Sequence, residues 1–137
     1  MNMRSLSILG ILVGLAACGE VSQDAAVDPN VPPIEVTSVD LAKAFEANEV
    51  AAKQTYGAAP LLVSGKVAGI TLDLMDKPVV QLPGVNDFQQ VQASFAGDAT
   101  AATAQLQKGQ DIVLLCESVS EVIGSPMLDG CTIQPGG

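Results

Sequence analysis

The chain has 137 residues, with six Lys and Arg against fifteen Asp and Glu, a formal net charge of −9, and neither His nor Trp. That length suits a single domain with a modest core. The acidic balance opposes phosphate backbones and anionic lipid. The absence of His removes the commonest side chain of metal sites and general acid–base catalysis.

The first element is a targeting signal. Arg4 is the only charge before Cys18, and Leu6 to Val13 is apolar apart from Ser7 and Gly10. This run is shorter than the ~20 apolar residues a bilayer span needs. A basic start, an apolar stretch and small residues at the cut form a secretory signal. Here the small residues end at a cysteine, in Leu15-Ala16-Ala17-Cys18. This resembles a bacterial lipobox, in which the Cys is acylated and the segment before it removed. An ordinary signal cut beside a Cys and an uncut membrane helix are the two alternatives. The resemblance implies three acyl chains on Cys18. One myristoyl chain binds membranes only marginally, at about 10⁴ M⁻¹, so three should hold permanently.

Residues 1–17 are therefore read as signal peptide and 18–36 as a linker. The linker carries Glu20, Asp24, Asp28 and Glu35 together with Pro29, Pro32 and Pro33, and lacks apolar periodicity. Charge repulsion and Pro should keep it extended. A short strand at Ile34 to Val36 is the alternative for its end. The folded domain is expected over 37–134.

One helix is predicted from about Val39 to Tyr56, with Thr37 or Ser38 as N-cap and Gly57 at its end. Leu41, Ala44, Phe45, Asn48, Ala52 and Thr55 share a face at helical spacing, which puts Asn48 inside the apolar stripe. Glu49 and Lys53 form an i,i+4 pair at its border.

Strand chemistry follows. Leu61 to Leu74 reads as one long strand bent at Gly65 and Gly69. Asp76-Lys77-Pro78 reads as a turn, Val79 to Leu82 as a second strand, and Phe88 to Phe95 as a third. A short helix, Ala99 to Lys108, is capped by Gly97-Asp98 and ended by Gly109. Asp111 to Val122 is the fourth strand, Gly124-Ser125-Pro126 a turn, and Met127 to Ile133 the fifth.

After acylation of Cys18, two cysteines remain, and an even number in an exported protein favours a disulfide. Folding the last two strands back near Gly124 sets Cys116 opposite Cys131. A four-residue loop from Val122 to Ser125 gives a close, non-hydrogen-bonded Cys pair. It also asks Pro126 for a hydrogen bond it cannot donate. A two-residue loop, Ile123-Gly124, spares Pro126 but puts the Cys in a hydrogen-bonded pair. A bulge at Asp129-Gly130 would resolve the conflict and place Leu128 and Cys131 on one face. Two buried thiols packing as small hydrophobes are the alternative.

Three strands, a helix and two strands is the order of an OB-fold, a five-stranded Greek-key barrel. Composition alone also suits other small α+β folds. Three motifs add to the order. They are Asn48-Glu49-Val50-Ala51-Ala52-Lys53 with Tyr56, the strand Val63-Ser64-Gly65-Lys66-Val67, and Leu106-Gln107-Lys108-Gly109-Gln110. With the paired Cys116 and Cys131, these resemble the tRNA_anti-like family over Val39 to Ile133. The resemblance implies a mainly β, α+β fold: a five-stranded OB-fold barrel with an added N-terminal helix, often in bacterial lipoproteins. It implies no catalytic residues and no established function.

The candidate site residues are few. Asn48, Glu49 and Lys53 could anchor a ligand where helix meets barrel. The structural reading needs no ligand: Asn48 satisfies backbone groups and Glu49 pairs with Lys53. Asp73 and Asp76 flank a turn without further oxygen ligands, so no metal is expected. Single-stranded nucleic acid needs a positive groove and stacking aromatics, whereas the strand region offers only Phe88 and Phe95. No nucleophile elbow, phosphate loop or metal spacing is present. The expectation is a non-enzymatic protein without cofactor, held on the bilayer through Cys18 and facing the periplasm. Gly19 after Cys18 resembles outer-membrane sorting if the cell is Gram-negative. Its partner would be an envelope protein or component. A small-ligand or oligosaccharide-binding module is the alternative, and no nucleic acid is expected.

Overall fold

The computed structural model describes residue 28 and residues 30–135. The signal, Cys18 and most of the linker lie outside the described residues. Within them the fold is mainly β with a few helices.

The chain enters on β1 (Ile34–Thr37), formed by the last residues of the stretch read as linker together with Thr37. β1 runs parallel to β2 (Leu61–Lys66), with Ile34 opposite Leu61 and Thr37 opposite Ser64. Between them lie two helices where one was predicted: α1 (Ser38–Ala47) and α2 (Glu49–Tyr56). The break is Asn48, whose backbone is extended at φ −164°, ψ 97°. Its N–H closes α1 on the Ala44 carbonyl, while its side chain accepts from the Ala51 N–H to cap α2. Helical spacing continues across the break, so periodicity alone hid it. Asn48 is exposed rather than set in the apolar stripe. Leu41, Ala42, Phe45 and Ala52 still face the core.

The predicted first strand is also divided, into β2 and β3 (Gly69–Leu72). At the joint the Val67 N–H donates to Gln110 O, and the next N–H, of Ala68, donates to Gln81 O, each at 2.8 Å. One strand thus changes partners within two residues. β4 (Pro78–Leu82) pairs antiparallel with β3 and with β5 (Val91–Phe95). The third strand begins at Val91 rather than Phe88. Asn86 explains the shift: its carboxamide accepts from the Phe88 and Gln89 N–H groups and holds 86–89 in a turn. Helix α3 keeps only Thr100–Ala104 of the ten residues expected.

The last hairpin divides the predicted fourth strand into β6 (Asp111–Cys116) and β7 (Ser118–Val122), both antiparallel to β8 (Ser125–Ile133). The turn is the two-residue Ile123-Gly124, with φ of 51° and 78°, and not Gly124-Ser125-Pro126. Pro126 lies opposite Glu121, next to the hydrogen-bonded pair that closes the turn, where no N–H is required. The ladder is interrupted at Glu117. Gly130 opposite it has φ 64°, and a Cβ there would sit 2.6 Å from the Glu117 carboxyl carbon. This kink turns Leu128 and Cys131 alike into the core.

The sheet path is β1-β2-β6-β8-β5-β4-β3, with β7 on β8, eight strands in all. No ladder among the described residues joins β3 back to β1 or β2, so the sheet is open and not the closed five-stranded barrel expected. The larger strand count has local causes: two predicted strands break, at Val67-Ala68 and at Glu117, and β1 is added. Alternation builds the core. In β6, Ile112, Leu114 and Cys116 point inward between the less buried Val113 and Leu115. Leu41, Leu61, Val63, Leu82 and Leu128 meet them there. Burial of each such Leu stabilises by about 1.5–3 kcal/mol.

Candidate functional site

Two grooves stand out among the described residues. The first, about 500 Å³, opens where α1 begins. Thr37 caps the helix: its oxygen accepts from the Asp40 N–H, and its hydroxyl donates to the Asp40 carboxylate at 2.8 Å. Ser38 follows, only 1% exposed. Gly65 on β2 allows this approach, since a Cβ there would come within 2.8 Å of Ser38 Oγ. Thr37, Ser64, Pro83 and Val113 contribute to the wall, which is mostly apolar. At the rim the Lys66 Nζ meets Asp111 Oδ1 at 2.8 Å, directly across the β2–β6 ladder. An exposed pair of this kind contributes about 0–1 kcal/mol. It also cancels the one cation of the groove.

The second groove, about 360 Å³, lies between the β3–β4 turn and the loop before α3. Asp76, Lys77, Phe95, Asp98 and Thr100 line it. Its two walls are ordered by carboxylates. Asp73 accepts from the N–H groups of Met75 at 2.7 Å and Lys77 at 3.0 Å. The Lys77 and Met75 bonds, then the Lys77 charge, hold its carboxyl below the usual range. Asp98 accepts from the Thr100 N–H at 3.0 Å, and that bond followed by the Thr100 hydroxyl lowers it likewise.

The residues singled out in the sequence are placed differently. Asn48 caps a helix. Glu49 and Lys53 are exposed, and no ion pair joins them among the described residues. These three share a helix turn and line neither groove. Asp73 accepts both backbone N–H groups through one oxygen, Oδ1, and no cluster of metal-ligating side chains occurs among the described residues. Cys116 and Cys131 are brought together, with sulfurs 2.08 Å apart and both side chains fully buried. The aromatic rings do not form a stacking platform: Phe45 is in the core, Tyr56 and Phe95 pack partly against it, and Phe88 alone projects outward. Lys43, Lys53, Lys66, Lys77 and Lys108 are spread over five separate segments.

A profile described as tRNA_anti-like matches residues 5–132. The chain belongs to the tRNA_anti-like family. The fold has a solved counterpart in a lipoprotein from Klebsiella pneumoniae subsp. pneumoniae, provisionally described as nucleic acid-binding. The two share 15% identity, with a TM-score of 0.56 over 73% of this chain and 92% of that one. At that identity the likeness establishes the fold alone. No curated protein matches. As a tRNA_anti-like domain the chain offers shallow grooves, these two among them. Neither was legible in advance. The first draws on Thr37, Ser64, Pro83 and Asp111, residues from four segments that share no motif. A Gly one residue before a Lys in a strand was its only trace.

Proposed function

We propose that this protein is a non-enzymatic lipoprotein of the cell envelope, acylated at Cys18, whose OB-like domain binds an envelope protein or component. Residues 1–17 would be removed, 18–36 would act largely as tether, and 37–134 would form the binding domain. The carrying observation is Leu15-Ala16-Ala17-Cys18 at the end of an apolar run. The lipoprotein nature of the Klebsiella counterpart supports it. In a Gram-negative cell, Gly19 would direct the protein to the periplasmic face of the outer membrane. Mass spectrometry of the mature N-terminus tests the anchor: a diacylglyceryl and amide-linked acyl mass on Cys18 is expected. A free amine on any other residue overturns it. Crosslinking in intact cells then identifies the partner.

A second reading, a small-ligand or oligosaccharide module, is favoured by the groove beside Phe95. Phe95, Asp76, Asp98 and Thr100 line it together. Glycan-array binding lost on Phe95→Ala, in a variant that still folds, would establish it. The nucleic-acid description of the Klebsiella counterpart does not carry over on physical grounds. A charge of −9, a neutralised Lys66 and a single projecting ring provide neither counterion release nor stacking. Gel-shift titration at physiological salt should show no saturable binding to single-stranded RNA or DNA.

A further inference from the structure

We infer that the outer edge of β3 pairs with the same edge of a second copy of this chain, antiparallel and about a two-fold axis at Thr71. The inference goes beyond the anchored reading and does not depend on it. It begins from the backbone groups that β3 leaves unused. β3 stands at the end of the sheet path and pairs with β4 alone. The Asp73 N–H donates to Lys77 O at 2.8 Å, which makes 73 and 77 a hydrogen-bonded pair at the turn. Such pairs alternate along an antiparallel ladder, so Thr71–Val79 and Gly69–Gln81 bond, whereas Leu72–Pro78 and Ile70–Val80 do not. Pro78 has no N–H to give and fits its place in that alternation. The N–H and C=O groups of Ile70 and Leu72 therefore point away from β4. No loop or turn backbone among the described residues reaches them.

A row of unpaired backbone groups is a template for another strand, and such edges are normally blunted by charge or proline. Two other strands with an unpaired side are blunted in this way: β1 carries Glu35 and follows Pro32-Pro33, and β7 carries Glu121. β3 reads Gly-Ile-Thr-Leu, with neither charge nor proline. Its Leu72 is 62% exposed.

The occupant follows from spacing and charge. Turned antiparallel about Thr71, a second β3 sets Ile70 opposite Leu72 of the copy, and Leu72 opposite its Ile70. Both pairs then exchange their free N–H and C=O groups, and every such group on the two copies is met. Thr71 meets its own counterpart in a non-hydrogen-bonded pair, with Cα atoms about 4.5 Å apart and hydroxyls within reach of each other. Leu72 lies on the same face as the half-buried Ile70, so it gains cover from the Ile70 of the copy. A chain of net charge −9 resists meeting itself. In this register Asp73 falls opposite Gly69 of the copy, so no like charges are opposed across the edge. A four-residue edge alone falls short of the roughly 1,200 Å² of a lasting interface, so the pair is reversible and is read best by trapping it.

The test compares T71C with V50C in cells expressing the full chain, after mild oxidation with copper phenanthroline. Val50 is 70% exposed on α2 and serves as the control. Cys116 and Cys131 are bridged and fully buried, so they take no part. A Cα separation of about 4.5 Å lies within the roughly 4.4–6.8 Å that a disulfide spans. Non-reducing gels should show a T71C product of twice the monomer mass, several-fold more abundant than for V50C. Adding L72P removes one outward N–H from each copy and no bond to β4, and should lower that product several-fold while circular dichroism stays unchanged. Should L72P fail to fold, L72K, which puts a charge on the edge, takes its place. T71C cross-linking no more than V50C overturns the inference. A T71C product of any other mass gives the edge to a different partner and overturns it too. A product undiminished by the edge variant, in folded protein, overturns the strand pairing.

Discussion

Separating the cross-link between Cys116 and Cys131 from the packing of its sulfurs gives the most direct measure of what holds the last hairpin. The bridge spans a sequence separation of 15 residues. Chain-entropy theory assigns a loop of that size about 3 kcal/mol at 25 °C. For a domain of this size, that corresponds to a fall in Tm of roughly 12–24 °C. Both cysteines are fully buried, so reductant should reach them only after unfolding; reduction must be done in denaturant, followed by refolding under reducing conditions. The reduced wild type keeps every core atom and reports the cross-link alone. The double variant C116A/C131A also removes two buried sulfurs between Leu61, Leu114 and Leu128. It should fall below the reduced wild type by a further cavity contribution. Urea unfolding of the three forms, followed by circular dichroism, gives the two differences. Oxidised and reduced wild type differing by less than about 1 kcal/mol would refute the entropic reasoning. Two alkylatable thiols in folded protein recovered from cells would refute the bridge itself.

Asn48→Ala removes the cap of α2 and should lower stability by about 0.5–2 kcal/mol, with Asn48→Asp largely preserving it, in urea titrations. If Ala and Asp behave alike, the side-chain cap is not what holds the start of α2. Ile123→Asn relieves a β-branched residue of its left-handed backbone and should raise stability by roughly 1 kcal/mol, read as a higher Tm. A fall in Tm would mean that Ile123 packs after all. Asp73 and Asp98 titrate below the ordinary carboxylate range in the folded protein, so the stability they confer is intact above about pH 4. It is lost as the pH falls through their folded values. Between pH 5 and 2 the Tm of D73N/D98N should therefore decline less steeply than that of the wild type. Parallel curves would show that these turns do not feel their charge.

Most of the β architecture is written locally. The alternation in Asp111 to Cys116, the breaks at Pro83-Gly84 and the 116–131 register follow from residue patterns, and the structure keeps them. The conflicting demands of Pro126 and the two cysteines pointed to Asp129-Gly130 but to the wrong device: no residue is added, one register runs from Val122–Ser125 to Leu114–Ile133, and the strand turns instead through the φ of 64° at Gly130. Other features were not legible. Asn48 sits at a position that helical periodicity counts as inward, and only its capping chemistry betrays the break. The division of the first strand depends on Gln81 and Gln110, which come from elsewhere in the chain. The grooves depend in the same way on approach between segments, such as Ser38 against Gly65. A pairing 45 residues apart, Lys66 with Asp111, has no signature until the ladder aligns it.

The parallel pairing of β1 with β2 has a mechanical consequence. A pull applied through the residues before Ile34 acts along the axis of β1, toward its own start. The four paired positions from Ile34–Leu61 to Thr37–Ser64 would then be loaded together in shear, not peeled apart one after another. An antiparallel hairpin in the same place, tugged from its open end, would unzip. The chain thus meets traction from its N-terminal side with a clamp, and the helix start at Thr37 and Ser38 is the last point the load would reach.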